Sequence, residues 1–241
     1  MDSVYAAAYP ELYRRHWWWR AREAILLRTI ATLLDDRPPP RRILDVGCGA
    51  GLFFDALQPF GHVEGIESDR DAVEMAGRWK PNIFQGQLDA SYRPDEPYDV
   101  ILMLDVLEHL TEPERLLRHA RRLLKPGGRI LITVPAFNWL WTRHDDVNHH
   151  VRRYTRSAMR NTLRDAGLVV TGATYLFQSL VLPKAMVRIM ESLQKRPPSV
   201  PRIPGAALNG ALQAWLRGEY ALGRWLPFGT SLMVVAIPTT H

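Results

Sequence analysis

The segment from Thr142 to Thr155 concentrates side chains that could do acid–base chemistry. Its candidate residues are His149, His150, Arg152, Arg153 and Tyr154. An imidazole with an unperturbed pKa of about 6.5 can remove a proton at neutral pH, so we predict His150 as a general base. Tyr154, in the same segment, is predicted as a second catalytic residue. His149 and the two arginines are predicted to orient an anionic or aromatic substrate. The open alternative is that both histidines only hydrogen-bond the loop.

A second segment, Ile43 to Gly51, contains three glycines, and Asp45 stands two residues before the first of them. Glycines tolerate positive φ and let a ligand approach the backbone, and a helix start offers free N–H groups. Glu67 follows at the end of the next predicted strand, where a ribose-binding carboxylate belongs. The dinucleotide fingerprint expects a small residue at position 52, but the chain has Leu52 there. The pattern therefore favours a nucleoside cofactor other than a dinucleotide.

The elements that position these residues alternate between strand-like and helix-like patterns. The predicted strands are Arg42–Val46, His62–Glu67, Ile83–Gln87, Tyr98–Leu104, Arg129–Val134, Leu168–Tyr175 and Ser231–Ile237. The predicted helices cover residues 10–34, 51–58, 70–79, 112–124 and 155–166. Alternation of this kind predicts an α/β fold with a parallel sheet and helices on both faces.

An insertion of about fifty residues, 176–228, separates the last two predicted strands and is far longer than an ordinary connection. It should contain two helices around the proline-rich stretch Pro197–Pro204. One face of the first helix is charged and the opposite face is apolar. The charged positions are Lys184, Arg188, Glu191 and Lys195. Such a helix usually packs on its own protein and less often lies on a membrane surface.

Five motifs occur in the order typical of one enzyme class. They are LDVGCGAG (44–51), GIESD (65–69), LDA (88–90), YDVILMLDVLEHL (98–110) and LLKPGGRILITVP (123–135). Over these ninety or so residues the chain resembles the class I methyltransferases that use S-adenosylmethionine (SAM). The resemblance implies a Rossmann-like fold with a mostly parallel seven-stranded sheet and a C-terminal antiparallel hairpin. It also implies SAM as the cofactor.

The same resemblance implies cofactor-binding roles for single residues. The set is Arg22, Asp45, Gly47, Gly49, Gly51, Glu67, Ser68, Asp89, Ala90, Leu104 and Asp105. The glycine backbone would hold the methionine part of SAM, with Asp45 near the ammonium group. Glu67 would accept hydrogen bonds from the ribose hydroxyls. The adenine would lie between the second and third motifs, and the end of the fourth strand would pass near the reactive methyl.

The N-terminal stretch His16 to Glu23 holds three adjacent tryptophans, which cannot all face one core. Similar segments precede the glycine loop in many small-molecule methyltransferases of this class, where the helix forms part of a lid. We therefore predict a lid over residues 1–37 of a single 1–241 domain, with Trp18 at the substrate and Arg22 in the pocket. The alternative is a helix that packs its tryptophans on the sheet.

Asp105, Glu108 and His109 could together ligate a divalent metal. Quinone-type O-methyltransferases of the class have E-x-x-E-H here and are thought to use a metal, whereas this chain has Asp105 in place of the first Glu. The LEHL stretch is also a structural signature found without metal. We therefore predict no metal and place His109 on the substrate side.

Three functions stay open at this point. The favoured one is methyl transfer to an O or N atom of a small-molecule or lipid-like acceptor. An RNA methyltransferase is suggested by the net charge of +6, but no separate RNA-binding module is visible in the sequence, so nucleic acid is not an expected partner. The third is a non-catalytic SAM-binding partner protein. One cysteine and no secretory pattern predict a cytoplasmic protein, with peripheral membrane contact through 176–228 as the open alternative.

Overall fold

The computed structural model describes residues 3–193, 201–223 and 226–239. Seven strands form one sheet in the spatial order β3-β2-β1-β4-β5-β7-β6. They are β1 (Arg42–Val46), β2 (His62–Glu67), β3 (Ile83–Gln85), β4 (Tyr98–Leu104), β5 (Leu124–Pro135), β6 (Leu168–Leu176) and β7 (Ser231–Pro238). The predicted Rossmann-like α/β fold is confirmed.

The first five strands run parallel, and β7 runs antiparallel between β5 and β6. The chain builds outward from β1 to β3 and then returns to place β4 on the other side of β1. Ligands of open α/β sheets bind beyond the carboxyl ends of the strands at such a switch point. The sheet topology therefore directs attention to the loops that follow β1, β2, β4 and β5.

Nine α-helices are present in the described ranges. They are α1 (Ser3–Arg15), α2 (Trp17–Leu34), α3 (Phe54–Leu57), α4 (Arg70–Glu74), α5 (Pro113–Arg122), α6 (Arg143–Val147), α7 (Arg156–Asp165), α8 (Val181–Leu193) and α9 (Ala206–Gly223). The N-terminal stretch predicted as one helix is two, because His16 has extended backbone (φ −75°, ψ 134°) and its ring accepts a hydrogen bond from the amide of Trp18. The helix predicted over 70–79 ends early, before Gly77 at φ +56°.

Apolar side chains cover both faces of the sheet. In β4, Ile101 and Met103 point to the face that carries α5 and α7, whereas Val100 and Leu102 point to the face that carries α2. This alternation follows from the two-residue period of a strand. Burying one large apolar side chain contributes roughly 1.5–3 kcal/mol relative to leaving it exposed. The two-sided core thus fixes the strand ends that carry the motifs.

The insertion between β6 and β7 contains the two predicted helices, α8 and α9. Helix α9 packs on α2 and buries Leu216. Helix α8 departs from the usual expectation, because its apolar side chains are exposed and its charged side chains face the protein. Lys195 lies outside the described residues, as does the first half of the proline-rich stretch, residues 197–200. None of the helices in the described ranges is long and apolar enough to cross a bilayer.

Candidate cofactor and acceptor site

The loop after β1 has the backbone geometry that its glycines permit. Gly47, Gly49 and Gly51 adopt φ values of +74°, +56° and +65°, a region that residues with a Cβ rarely enter. A Cβ at Gly47 would lie 2.8 Å from Cγ2 of Val106. A Cβ at Gly49 would meet no atom of the described chain within 4 Å. The loop therefore presents bare backbone at Gly49 with no side chain of the described residues over it.

Glu67, at the end of β2, holds this loop in place. The amide of Gly49 donates to its Oε2 and the amide of Asp69 donates to its Oε1, both at 2.8 Å. Ser68 is exposed, and its hydroxyl lies 3.4 Å from the same carboxylate. The predicted ribose-binding acid is thus joined directly to the predicted methionine-binding loop.

Asp45 is a buried carboxyl beside the glycine loop. Burial raises its pKa to about 7, with Arg22 opposing the shift and Glu67 adding to it. A cation bound next to Asp45 would favour its ionised form. This chemistry fits the ammonium group of SAM.

Arg22, on helix α2, lies at the carboxyl ends of β4 and β5. The guanidinium lies 2.7 Å from Oδ2 of Asp105 and donates to the hydroxyl of Thr133 at 2.8 Å. Asp105 has φ +60°, which turns the chain sharply after β4. The Arg22 guanidinium lies 5.7 Å from the ring centre of Trp18. The structure thus brings both predicted lid residues to the carboxyl edge of the sheet.

The residues predicted around adenine lie beyond β3. Asp89 accepts hydrogen bonds from the amide and hydroxyl of Ser91, at 2.8 and 2.6 Å, and these bonds lower its pKa. Ala90 is exposed, and Leu104 is half-buried at the end of β4. These positions remain candidates for binding adenine and lining the methyl-transfer site.

His150 is held by a buried carboxylate. Its Nδ1 lies 2.8 Å from Oδ1 of Asp145, which is fully buried. Burial alone would raise the pKa of Asp145, but hydrogen bonds from His150 and Arg153 hold it well below its usual range. The ionised carboxylate favours the tautomer with the proton on Nδ1, because that nitrogen then donates to it. In that tautomer the Nε2 of His150 carries no proton and is the nitrogen that can accept one.

Two predicted residues of this segment make buried contacts within the protein. The guanidinium of Arg153 is buried and donates to both oxygens of Asp145 at 2.9 Å, so it positions that acid. Tyr154 is buried, donates to the carbonyl of Leu107 at 3.2 Å, and has its pKa raised to about 12 by burial. This geometry supplies no argument for a catalytic role, and the catalytic role of Tyr154 stays a prediction.

The other two predicted substrate residues have looser positions. Arg152 is half-buried and donates to the carbonyl of Thr111 at 2.8 Å. His149 is exposed, with φ +57° in the turn that leads to His150. Neither geometry supplies a direct argument for substrate contact, so both stay predictions.

Glu108, His109 and His150 form a compact cluster whose candidate ligand atoms all lie within 4.8 Å of one another. Glu108 is fully buried, neither of its carboxyl oxygens has a hydrogen-bond partner in the described chain, and burial raises its pKa well above the usual value. These three groups could hold a divalent cation. Asp105, which the sequence placed in this set, pairs with Arg22 instead. The absence of a functional metal stays a prediction.

Two residues of this region were not among the predicted site residues. Asp145 stands five positions before His150, and that spacing was visible without revealing that the two side chains bond. Glu108 stood in the LEHL stretch, but nothing in the sequence indicates that its carboxyl is buried without a partner.

Comparison with known sequences agrees with this geometry. Residues 18–172, more than half of the chain, match the family model described as a methyltransferase domain. A ubiquinone biosynthesis O-methyltransferase from Aeromonas salmonicida is 33% identical over 102 residues, which are 39% of this chain and 42% of that protein. An uncharacterised 37.1 kDa protein in transposon TN4556 from Streptomyces fradiae is 32% identical over 139 residues, or 54% and 40% of the two chains. The matches span about two fifths of the length of these relatives.

Solved structures share the fold at low sequence identity. A SAM-dependent methyltransferase from Archaeoglobus fulgidus superposes with a TM-score of 0.56 at 16% identity, covering 89% of this chain and 93% of that one. Magnesium protoporphyrin IX methyltransferase from Synechocystis, solved with bound SAH, gives 0.53 at 16% identity, with coverages of 91% and 84%. The chain therefore belongs to the methyltransferase-domain family and has the class I SAM-dependent methyltransferase fold.

Proposed function

We propose that this protein transfers a methyl group from SAM to an O or N atom of a small-molecule or lipid-like acceptor. The observation that carries the proposal is the Asp145–His150 pair, which lies on the same sheet edge as the glycine loop. The amide of Val151 donates to the carbonyl of Glu108 at 2.8 Å and ties the pair to the loop after β4. The proposed base and the proposed cofactor loop therefore both lie at the carboxyl edge of the sheet.

On the cofactor side, the chain's own residues bind and orient. The backbone of Gly47 to Gly51 would hold the methionine part, Asp45 would pair with the ammonium group, and Glu67 would accept from the ribose hydroxyls. When bound, SAM supplies a methyl group that its sulfonium has already activated. The protein therefore mainly has to align the acceptor, and alignment can be worth roughly 7–11 kcal/mol of the barrier.

On the acceptor side, His150 would take the proton of a hydroxyl or ammonium group through Nε2. The ionised Asp145 would stabilise the imidazolium that forms, since the two groups already share a hydrogen bond. A positioned general base of this kind contributes about 10²–10⁴-fold to rate. An acceptor that is already deprotonated at neutral pH would not need it.

The acceptor class rests on two arguments. The O-methyltransferase relatives are named for ubiquinone biosynthesis, and that name favours a ring hydroxyl on a lipid-like molecule. Trp18 lies 5.5 Å from the ring of Phe177, so aromatic side chains from α2 and the end of β6 meet on this side of the sheet. A peripheral contact of the 176–228 insertion with a membrane would bring such acceptors close to the site.

The test measures SAH formation against a panel of phenols, hydroxyquinones, amines and membrane lipid extracts. With an acceptor found, His150→Ala should lower turnover by about 10²–10⁴-fold and leave SAM affinity unchanged. His149→Ala, made in parallel, shows whether the exposed neighbour contributes. Turnover unchanged in His150→Ala would remove His150 as the base.

The same panel separates the two alternative functions. SAM binding without SAH formation on any acceptor would favour a non-catalytic binding protein. SAH formation that requires RNA, with RNA affinity falling steeply as salt rises, would favour an RNA methyltransferase.

A further inference from the structure

Helix α8 is amphipathic, but its apolar side is turned away from the protein. Its outward residues are Leu182, Met186, Val187, Ile189, Met190 and Leu193, each between 46% and 79% exposed. Its inward side is charged: Glu191 accepts from the amide of Arg143 at 2.9 Å, and Arg188 donates to the carbonyl of Trp141 at 3.0 Å. Because α8 packs through its charges, its apolar side has no partner among the residues that the structure describes.

Helix α9 adds a second exposed apolar stripe. Leu208, Trp215 and Leu222 are spaced by seven residues, or about two turns, and therefore share one side of the helix. They are 57%, 64% and 84% exposed. The indole of Trp215 donates to the hydroxyl of Ser179, just before α8 begins, at 3.1 Å. The six residues of α8 are called the apolar face below, and the α9 stripe is a second exposed apolar surface of the same insertion.

The segment that carries the apolar face is strongly positive in sequence. Residues 176–228 contain seven Lys or Arg and two Asp or Glu, so this segment carries +5 of the chain's net +6. Both acids are engaged by inward hydrogen bonds, Glu191 with Arg143 and Glu219 with the amides of Gln178 and Ser179. Arg202 and Arg217 are exposed. The insertion therefore presents apolar side chains among cations.

We propose that the apolar face docks onto an anionic lipid bilayer. Apolar side chains can enter the boundary between headgroups and acyl chains while flanking cations pair with lipid phosphates. A second copy of the chain is a poorer occupant, because it would bring the same positive charge to the contact. The described helices do not span a membrane, so the contact is peripheral.

The inward side of α8 links this contact to the acceptor site. Arg143 begins helix α6, and Asp145 of the same helix holds His150. A docked α8 would hold α6 and its loop at the bilayer surface. An acceptor dissolved in the membrane would then reach His150 without crossing water.

The test is cosedimentation with vesicles, without SAM or acceptor. Wild type should bind vesicles of mixed phosphatidylglycerol and phosphatidylcholine at least about tenfold more tightly than phosphatidylcholine alone. Met186→Ser/Ile189→Ser should weaken that binding by about tenfold or more, because two apolar side chains no longer enter the bilayer. The matched control, Met75→Ser/Val169→Ser, removes equally exposed apolar side chains from other elements and should bind like wild type.

A second pair of changes tests the charge and does not touch the apolar face. Arg202→Gln/Arg217→Gln should weaken binding to the anionic vesicles, and about 1 M salt should do the same, since the Debye length falls to about 3 Å. Thermal melting checks that each variant is folded.

Two vesicle results would overturn the proposal: no binding by wild type, or equal binding by wild type and Met186→Ser/Ile189→Ser. It would also be overturned if wild type forms a dimer that does not bind vesicles and the double variant is a monomer. The last result would make the face an interface between copies. Because the vesicle experiment uses no SAM or acceptor, a negative result would not count against the proposed methyl transfer. Absence of methyl transfer would likewise not count against membrane docking.

Discussion

The cofactor side and the acceptor side of this site are built in different ways. On the cofactor side, function lies mainly in the backbone: three glycines at positive φ and the carboxyl ends of β1 and β2. On the acceptor side, it lies in side chains that meet across loops, above all Asp145 with His150. A short contiguous motif determines the backbone geometry of the loop, whereas a side-chain cluster depends on how distant segments pack. The two sides should therefore respond separately to substitution.

The largest separation is expected from Asp145→Asn. Loss of the ionised partner leaves His150 without the group that orients it, so turnover should fall by about 10²-fold or more while SAM affinity stays as in wild type. Asp146→Asn is the matched control, because Asp146 is an exposed neighbour that accepts from the indole of Trp141. A parallel loss of SAM affinity in a folded Asp145→Asn protein would break the division between the two sides.

A smaller effect, on SAM affinity and not on the acceptor side, is expected from Asp45→Asn. Removing the buried charge should weaken SAM binding by about 10–100-fold, the usual range for a charged hydrogen bond. Asp99→Asn offers a contrast, because Asp99 is equally buried but accepts from Lys125 and the amide of Arg42 near the other end of the sheet. It should lower the melting temperature and leave SAM affinity intact. Equal losses of SAM affinity in both variants would argue against a specific role for Asp45.

The pH dependence of SAM affinity sharpens the same point. Burial raises the pKa of Asp45 to about 7, so below that pH the free protein carries a neutral carboxyl there. Pairing with the ammonium group then requires loss of that proton, and affinity should fall by up to about tenfold per pH unit between pH 7 and 5. Asp45→Asn should show no such slope. A flat wild-type profile, measured by calorimetry across this range, would contradict the assignment.

The smallest effect is expected from metal removal. If His150 acts as a base, chelation with EDTA should leave turnover unchanged. Loss of activity with EDTA and its recovery with Mg²⁺ or Zn²⁺ would show a functional metal, for which Glu108, His109 and His150 are the candidate ligands. His150 would then be a ligand, and the acceptor side would need a different base.

The same contrast explains which features the sequence predicts. The bounds of β1, β2 and β4 agree with the structure residue for residue, because strand patterns and glycine turns are local. The orientation of α8 was not predicted, since the pattern reveals two faces but not which one meets the protein. The sequence analysis predicts that Arg153 orients a substrate and that Tyr154 is catalytic, whereas tertiary packing buries both side chains and bonds them to the protein.

The most direct test of the central claim is calorimetric titration of SAM into wild type, Gly49→Val and Gly205→Val. Valine at Gly49 must adopt φ +56° and projects into the open space of the loop, so binding should weaken by about 100-fold or more. Gly205 has no positive φ and no atom of the described chain near its Cβ position, so Gly205→Val should bind SAM like wild type. One-to-one binding by wild type and Gly205→Val, lost in a folded Gly49→Val, is the predicted result. Absence of binding to wild type, or equal affinity in all three, would contradict the assignment of this loop as the cofactor site.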